Sequence, residues 1–326
     1  MNDMKKILFS ALKVFVICAV FTGYTGCKFD DYELQYPYTS VLFTYQDYVR
    51  NIVVGEGLKF NAGIVLAGVV DNKSDRTVQF EIDNTLVPDY MQLEEGVSIL
   101  PPAYYTLGHP SEIIVPAGQL KGYLPIEMDS VAFLSDPKSI TGEYLLPIRL
   151  VASADVDSIV PDKSYVRVSV SYFGKQHAYY HYSGNFYKIM DGVVYDFKTF
   201  SYIWTENESK RFIKTVGPTK FSMVADDRNT GDPLNILTGS NVTGRVSFFI
   251  NVEPAGTSAT IETDAASPYD VRPSGTSSYD SDTRTFHLEY EWTIDDGTVC
   301  RVEEDLVFRN RIRDDQGNGI SVIEWR

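Results

Sequence analysis

The side chains that could do chemistry in this sequence are few and scattered. Two adjacent carboxylate pairs, Asp226-Asp227 and Glu303-Glu304, are the raw material of glycoside hydrolysis, which needs two carboxyl groups at a fixed separation. Both pairs read instead as solvated turn or edge charges. His177 and His181 are four residues apart, the spacing of two metal ligands on a helix, but Tyr179-Tyr180 between them favour extended chain and no third ligand is near. Neither His109 nor His287 adds one. The run Asp314-Asp315-Gln316-Gly317-Asn318-Gly319 imitates the start of a calcium loop with its glycine sixth, yet the acid due at the twelfth position falls on Trp325, and Glu324 misses by one. A hairpin turn is the better reading. No nucleophile elbow, phosphate loop or dinucleotide fingerprint is found. No catalytic, metal or cofactor residue is therefore assigned, and the chain is not expected to be an enzyme.

Binding chemistry is better represented. Sugars present apolar C–H faces, so their sites combine rigid aromatic rings with carboxylates and amides. Val194 to Trp204 supplies such rings on a strand-like run: Asp196, Lys198, Phe200, Tyr202 and Trp204 on one face, Tyr195, Phe197, Thr199, Ser201 and Ile203 on the other. If one face packs a core, the other has rings to spare. Phe200, Tyr202 and Trp204 are the candidate glycan-stacking residues. The competing reading is that both faces are covered, since aromatic stripes in β proteins mostly fill cores. Tyr179, Tyr180 and Tyr182 are expected to pack a domain junction.

The N-terminus positions whatever binds. Lys5 and Lys6 precede an apolar run from Ile7 to Phe21, shorter than the roughly 20 residues that span a bilayer, and small residues follow. Thr25-Gly26-Cys27 fits the end of a bacterial lipoprotein signal, with the Cys27 sulfur as the lipid acceptor; Tyr24 departs from the aliphatic residue usual there. Residues 1–26 are read as the signal peptide and 27–35 as a lipidated acidic tether. Several acyl chains, at about 0.8 kcal/mol per buried methylene, hold such a protein on a membrane.

The chain carries a net charge of −15, and losing Asp3, Lys5, Lys6 and Lys13 with the leader takes it to −17. Such an acidic chain argues against nucleic acid and against adhesion to anionic lipid. With Cys27 acylated, Cys300 has no disulfide partner. The 22 Tyr and 18 Phe, among 15 Pro and 23 Gly, point to an all-β chain. Strict alternation over Val78–Asp83, Tyr165–Tyr172 and Phe286–Asp295 predicts strands with one face in a core. Val246, Phe248, Ile250 and Val252 mark another. Asp295-Asp296-Gly297-Thr298 predicts a tight hairpin leading into Val299–Phe308. The Ser-, Thr- and Gly-rich stretch from Glu253 to Asp282 is expected to be mostly loop, with one possible strand at Ala259-Thr260-Ile261.

The ordered succession of Gly63-Ile64-Val65-Leu66-Ala67-Gly68, Val78–Asp83, Tyr104-Tyr105-Thr106-Leu107, Ile113–Gly118, Tyr144–Arg149 and Ile159–Lys163 resembles a domain of unknown function common in Bacteroidetes lipoproteins. That domain also occurs ahead of family 18 endo-glycosidase domains. The resemblance implies an immunoglobulin-like β-sandwich over residues 36–173. Gly174-Lys175-Gln176 reads as the linker, within 174–177. Tyr179-Tyr180-His181-Tyr182-Ser183-Gly184-Asn185-Phe186 resembles the start of a second domain of unknown function, implying a calycin-like antiparallel β-barrel over 178–326. Members of the first family sit in polysaccharide-utilisation loci beside outer-membrane glycan importers. The resemblance thus implies a lipoprotein of the outer membrane, exposed at the cell surface or facing the periplasm, with a glycan as ligand; the alternatives are a structural partner of an importer complex and a glycan-active enzyme with an unrecognised carboxylate pair. Lys28-Phe29-Asp30-Asp31 resembles the export signal of such lipoproteins. Asp129-Ser130-Val131 and Asp157-Ser158-Ile159 match the O-glycosylation pattern of these bacteria, with Ser130 and Ser158 as the acceptors.

Overall fold

The computed structural model describes residues 38–202, 209–225, 229–238, 241–315 and 321–325. Cys27, Trp204, the Asp226-Asp227 pair and most of the calcium-like loop lie outside them. The fold is all-β: an immunoglobulin-like sandwich followed by a barrel. The only two α-helices among the described residues are Asp89–Glu94 and Ala132–Ser135, neither of which could cross a membrane.

The sandwich uses β1 (Ser40–Phe43), β2 (Asp47–Val53), β3 (Lys59–Ala67), β4 (Arg76–Ile82), β5 (Ser98–Ile99), β6 (Tyr105–Leu107), β7 (Glu112–Val115), β8 (Lys121–Met128), β9 (Tyr144–Ala152), β10 (Ser158–Ile159) and β11 (Tyr165–Phe173). One sheet runs β10-β1-β3-β8-β6. The other runs β2-β11-β9-β4-β7, with β5 beside β9. The alternation read from the sequence sets the layers: Ala62, Ile64 and Leu66 of β3 meet Val166, Val168 and Val170 of β11 in one core, and their neighbours face out. Prolines punctuate the connections, opening 3-10 turns at Pro102, Pro137 and Pro161.

The barrel follows with β12 (Ala178–Met190), β13 (Val193–Tyr202), β14 (Arg211–Thr215), β15 (Lys220–Val224), β16 (Asn235–Thr238), β17 (Asn241–Arg245), β18 (Phe248–Val252), β19 (Ser258–Thr263), β20 (Arg272–Pro273), β21 (Ser277–Asp280), β22 (Thr285–Thr293), β23 (Val299–Asp315) and β24 (Ser321–Trp325). Strands β12, β14, β15, β18, β19, β21, β22 and β23 pair in that order, and β23 pairs back to β12. These eight strands therefore close on themselves, while β13 and β24 continue the sheet beyond the closure. The stretch from Glu253 to Asp282 is not the loop its composition suggests. It holds two barrel staves, β19 and β21, whose Ala259, Ile261, Ser277 and Tyr279 face inward. Tyr180 and Tyr182 likewise fill the barrel rather than the domain junction.

The barrel interior is not wholly apolar. Arg211 is 0% exposed. Its Nε donates to Glu304 Oε2 at 3.0 Å, and its Nη1 forms an ion pair with Asp232 Oδ1 at 3.0 Å without hydrogen-bond geometry. The guanidinium lies 4.4 Å from the centroid of the Tyr182 ring. Tyr290 Oη donates to Glu304 Oε1 at 2.7 Å, and Tyr182 Oη donates to Asp232 Oδ2 at 3.0 Å. Glu304 is thus a core residue and not the solvated charge its sequence context indicated. Burial pushes its carboxyl up from the ordinary value, and Arg211 pulls it back.

The two cores meet across a short connection. Gly174 N–H donates to Thr215 Oγ1 at 2.9 Å, and a Cβ at Gly174 would meet Phe221 Cζ at 2.4 Å, so the close approach of linker to barrel requires glycine. Arg311 of β23 donates to Glu56 Oε1 at 2.9 Å and to Lys175 O at 3.1 Å. His177 lies between Phe173 and Phe212, with ring centroids 5.0 Å from each. Its Nδ1 accepts the Thr215 N–H at 3.1 Å and so carries no proton. Burial, with Lys214 and Arg311 nearby, pulls its pKa from 6.5 down to about 4.

Two outcomes follow from these centres. Replacing Arg211 by Met strands two buried carboxylates, and should lower the unfolding free energy in urea by about 3–5 kcal/mol. Glu304→Gln, which keeps an acceptor for Tyr290, should cost less. His177 is neutral when folded but takes a proton below about 6.5 when unfolded, so its contribution is present above that pH and lost as pH falls toward 4. Urea titrations should show this decline, amounting to about 2–3 kcal/mol, and a flatter profile in His177→Gln.

Candidate functional site

The β12–β13 hairpin stands out from the barrel. Only Ala178–Tyr180 of β12 pair with β14; from Tyr182 onward the same edge pairs with β13, which ends the sheet. Asp191 and Gly192 turn the chain with φ of 51° and 77°, the left-handed pair of a type I′ hairpin.

Strand parity decides which of the two aromatic faces is covered. Tyr182 is inside the barrel and pairs with Tyr202; Gly184 pairs with Phe200 and Phe186 with Lys198. Phe200 and Tyr202 therefore turn inward, while Lys198 on the same parity stays exposed and donates to Gly231 O at 3.2 Å. Phe200 is 3% exposed and packs on the Tyr182 ring at 5.9 Å, while Tyr202 is half-buried against Tyr182 at 4.8 Å. Both belong to the core cluster rather than to an outward stacking face, and Trp204 lies outside the described residues. The free rings are on the opposite face. Phe197 is 55% exposed and pairs across the hairpin with Tyr187, their centroids 5.1 Å apart at 40°. Tyr195 is equally exposed, beside an irregularity in register at Lys188/Ile189, and its hydroxyl lies 3.2 Å from Thr298 Oγ1.

Pairing extends this face into cross-strand rows. The first runs Phe197, Tyr187, Arg301, Glu291; the second Thr199, Asn185, Glu303, Glu289; the third Ser201, Ser183, Asp305, His287. Hydrogen bonds tie the rows together. Tyr187 Oη donates to Glu303 Oε2 at 3.1 Å and Thr199 Oγ1 to Asn185 Oδ1 at 3.0 Å. Arg301 donates twice to Glu291 Oε2, at 3.0 and 2.9 Å, and Arg272 donates to Glu291 Oε1 at 3.0 Å. His287 bridges Asp305 at 2.9 Å and Glu289 at 3.0 Å. The Asp305 hydrogen bond lifts the His287 pKa, partial burial opposes it, and Glu289 adds to the lift. The arrangement sets a pair of ring faces beside carboxylate, amide and hydroxyl groups on a surface stiffened by cross-strand pairs. Such a surface can stack an apolar sugar face and hydrogen-bond its hydroxyls.

The other residues singled out by sequence have definite places. Ser130 is exposed just after Asp129, whose Oδ1 accepts from the Val131 and Ala132 amides; Ser158 is half-buried in β10, paired with Ser40. His181 is buried in the barrel wall. Phe197 carries the signal that was available, alternation with an inward Phe200 neighbourhood, but its parity depends on long-range pairing.

A protein-family model for an N-terminal domain matches residues 34–157. No curated protein matches the chain. Among solved structures, a Bacteroides ovatus protein of unknown function is similar at 18% identity and a TM-score of 0.69, over 89% of this chain and 99% of that one. A second Bacteroides ovatus protein of unknown function is 16% identical over 88% of this chain and 100% of its own, with a TM-score of 0.43. A multidomain Bacteroides ovatus protein that includes DUF1735 is also 16% identical, over 88% and 100% of the two chains, with a TM-score of 0.40. Residues 34–157 are thus similar to that family of N-terminal domains, and sandwich and barrel together repeat the fold of the first Bacteroides ovatus protein.

Proposed function

We propose that this chain is a surface-anchored lipoprotein that binds glycan without acting on it chemically. The observation that carries this reading is the exposed Phe197 ring packed on the half-buried Tyr187, beside the Asn185, Thr199 and Glu303 row. Rings of this kind offer rigid contact area at small entropic cost, and the neighbouring polar row supplies partners for hydroxyls. The carboxylates support binding over chemistry. Asp232 and Glu304 are buried around Arg211, out of reach of a glycosidic bond, and Glu291 is held by two arginines. Glu303 accepts from Tyr187 on an open face rather than across a cleft that would hold a sugar ring between two acids. Acylation of Cys27 keeps the protein at the membrane, where the local concentration of an importer's entrance makes weak glycan binding sufficient.

A second reading, a structural partner of an importer, is favoured by Met190, Val193 and Val194, exposed aliphatics at the tip of the same hairpin. Calorimetry of the mature chain against a panel of neutral plant and host glycans separates the two. Phe197→Ala and Tyr187→Ala should each weaken binding about tenfold, ~1.4 kcal/mol, with unchanged melting temperature. Wild-type affinity in both variants, together with loss of importer pull-down in Val193→Asp/Val194→Asp, would replace glycan binding by docking. Cys27→Ala should release the protein from membranes in cells and leave glycan affinity as it was.

A further inference from the structure

The sandwich domain carries a concave surface of its own. On β3 and β8 the residues facing away from the core are Asn61, Gly63 and Val65, opposite Pro125, Tyr123 and Lys121. Gly63 has no side chain to lift the Tyr123 ring off the sheet. A Cβ there would sit 3.2 Å from Tyr123 Cε1, so the ring lies close over the glycine and forms part of the groove's floor while remaining 52% exposed. The turn between β1 and β2 adds Tyr45, also exposed, to the lining. Arg50, its guanidinium 4.5 Å from the centroid of the Tyr48 ring, and Lys121 line it as well. The groove encloses about 270 Å³, room for one or two sugar units.

Its charge is the informative property. The whole chain is at −15, yet no acidic residue lines this groove, while Arg50 and Lys121 both do. Lys121 makes no ion pair among the described residues. The exposed Tyr123 and Tyr45 rings suit a flat, partly apolar ligand, Asn61 supplies a neutral donor and acceptor, and the two cations select a negative charge. We propose that this groove binds an anionic sugar unit, its ring stacked on Tyr123 and its carboxylate or sulfate drawn to Lys121 and Arg50. The site is independent of the hairpin surface, being built wholly from the other domain.

Titration of the mature full-length chain with three probes tests it: trigalacturonate for a carboxylated ligand, a chondroitin sulfate tetrasaccharide for a sulfated one, and cellotriose as the neutral control. One of the two anionic probes should bind, and the affinity should fall at least tenfold between 20 and about 200 mM salt, because exposed charge pairs are screened over that range. Tyr123→Ala and Lys121→Gln should each lose tenfold or more with circular dichroism unchanged. Phe197→Ala should leave this binding intact, which keeps failure here distinct from failure of the hairpin surface. The proposal is overturned if neither anionic probe binds at low salt, if both variants keep wild-type affinity, or if cellotriose binds as well as the anions and is lost with Tyr123.

Discussion

A single guanidinium inside the barrel constrains much of what surrounds it. Arg211 opens β14, and its partners come from the loop after β15 through Asp232, from β23 through Glu304, and from β12 through the face of Tyr182. An ion taken from water loses several kcal/mol of hydration, and the attraction between the charges repays that only when geometry is good and the remaining lone pairs are satisfied. Here Tyr290 and Tyr182 donate to the carboxylates and Ser209 and Asn229 contact the Tyr182 hydroxyl, so the strands that close the barrel are held in one register. An apolar filling of equal volume would tolerate a slip of two residues on one strand. A charge cluster does not, because displacement would leave a buried ion unpaired.

That register reaches the surface through strand parity. Because Glu304 must face inward to meet Arg211, Glu303 must face out, where it accepts the Tyr187 hydroxyl. Because Tyr182 must present its ring to Arg211, Phe186 turns in beside Trp292 while Tyr187 and Asn185 turn out. The outward rows of aromatic, amide and carboxylate groups are therefore the reverse side of the strands that carry the buried cluster.

The same parity explains how much was legible beforehand. Glu304 shares its alternation with Cys300, Val302, Leu306 and Phe308, all buried, so its inward direction was written in the residues, though the pairing Glu303-Glu304 looked like a solvated run. Arg211 has the same relation to Ile213 and Thr215. The sandwich strands were readable because their two faces differ sharply in polarity, and the barrel strand Phe286–Asp295 for the same reason. The β13 hairpin was not readable, since both its faces carry rings and only its pairing with Tyr182 and Gly184 shows which is covered. Stave β19 was legible in part, at Ala259-Thr260-Ile261, whereas β21 was hidden by its short length and its Ser residues. A closed barrel accepts these, because neighbours on both sides satisfy the backbone whatever the side chains are.

The junction decides whether the two domains act separately. Arg311 joins β23 to Glu56 and to the linker carbonyl of Lys175, Val54 N–H donates to Phe173 O, and the linker amide of Gly174 is bonded into the barrel. These contacts flank a connection of only four residues between β11 and β12. A linker so short, bonded at both ends, cannot behave as a flexible coil, because each of its bonds would have to break before the chain could swing.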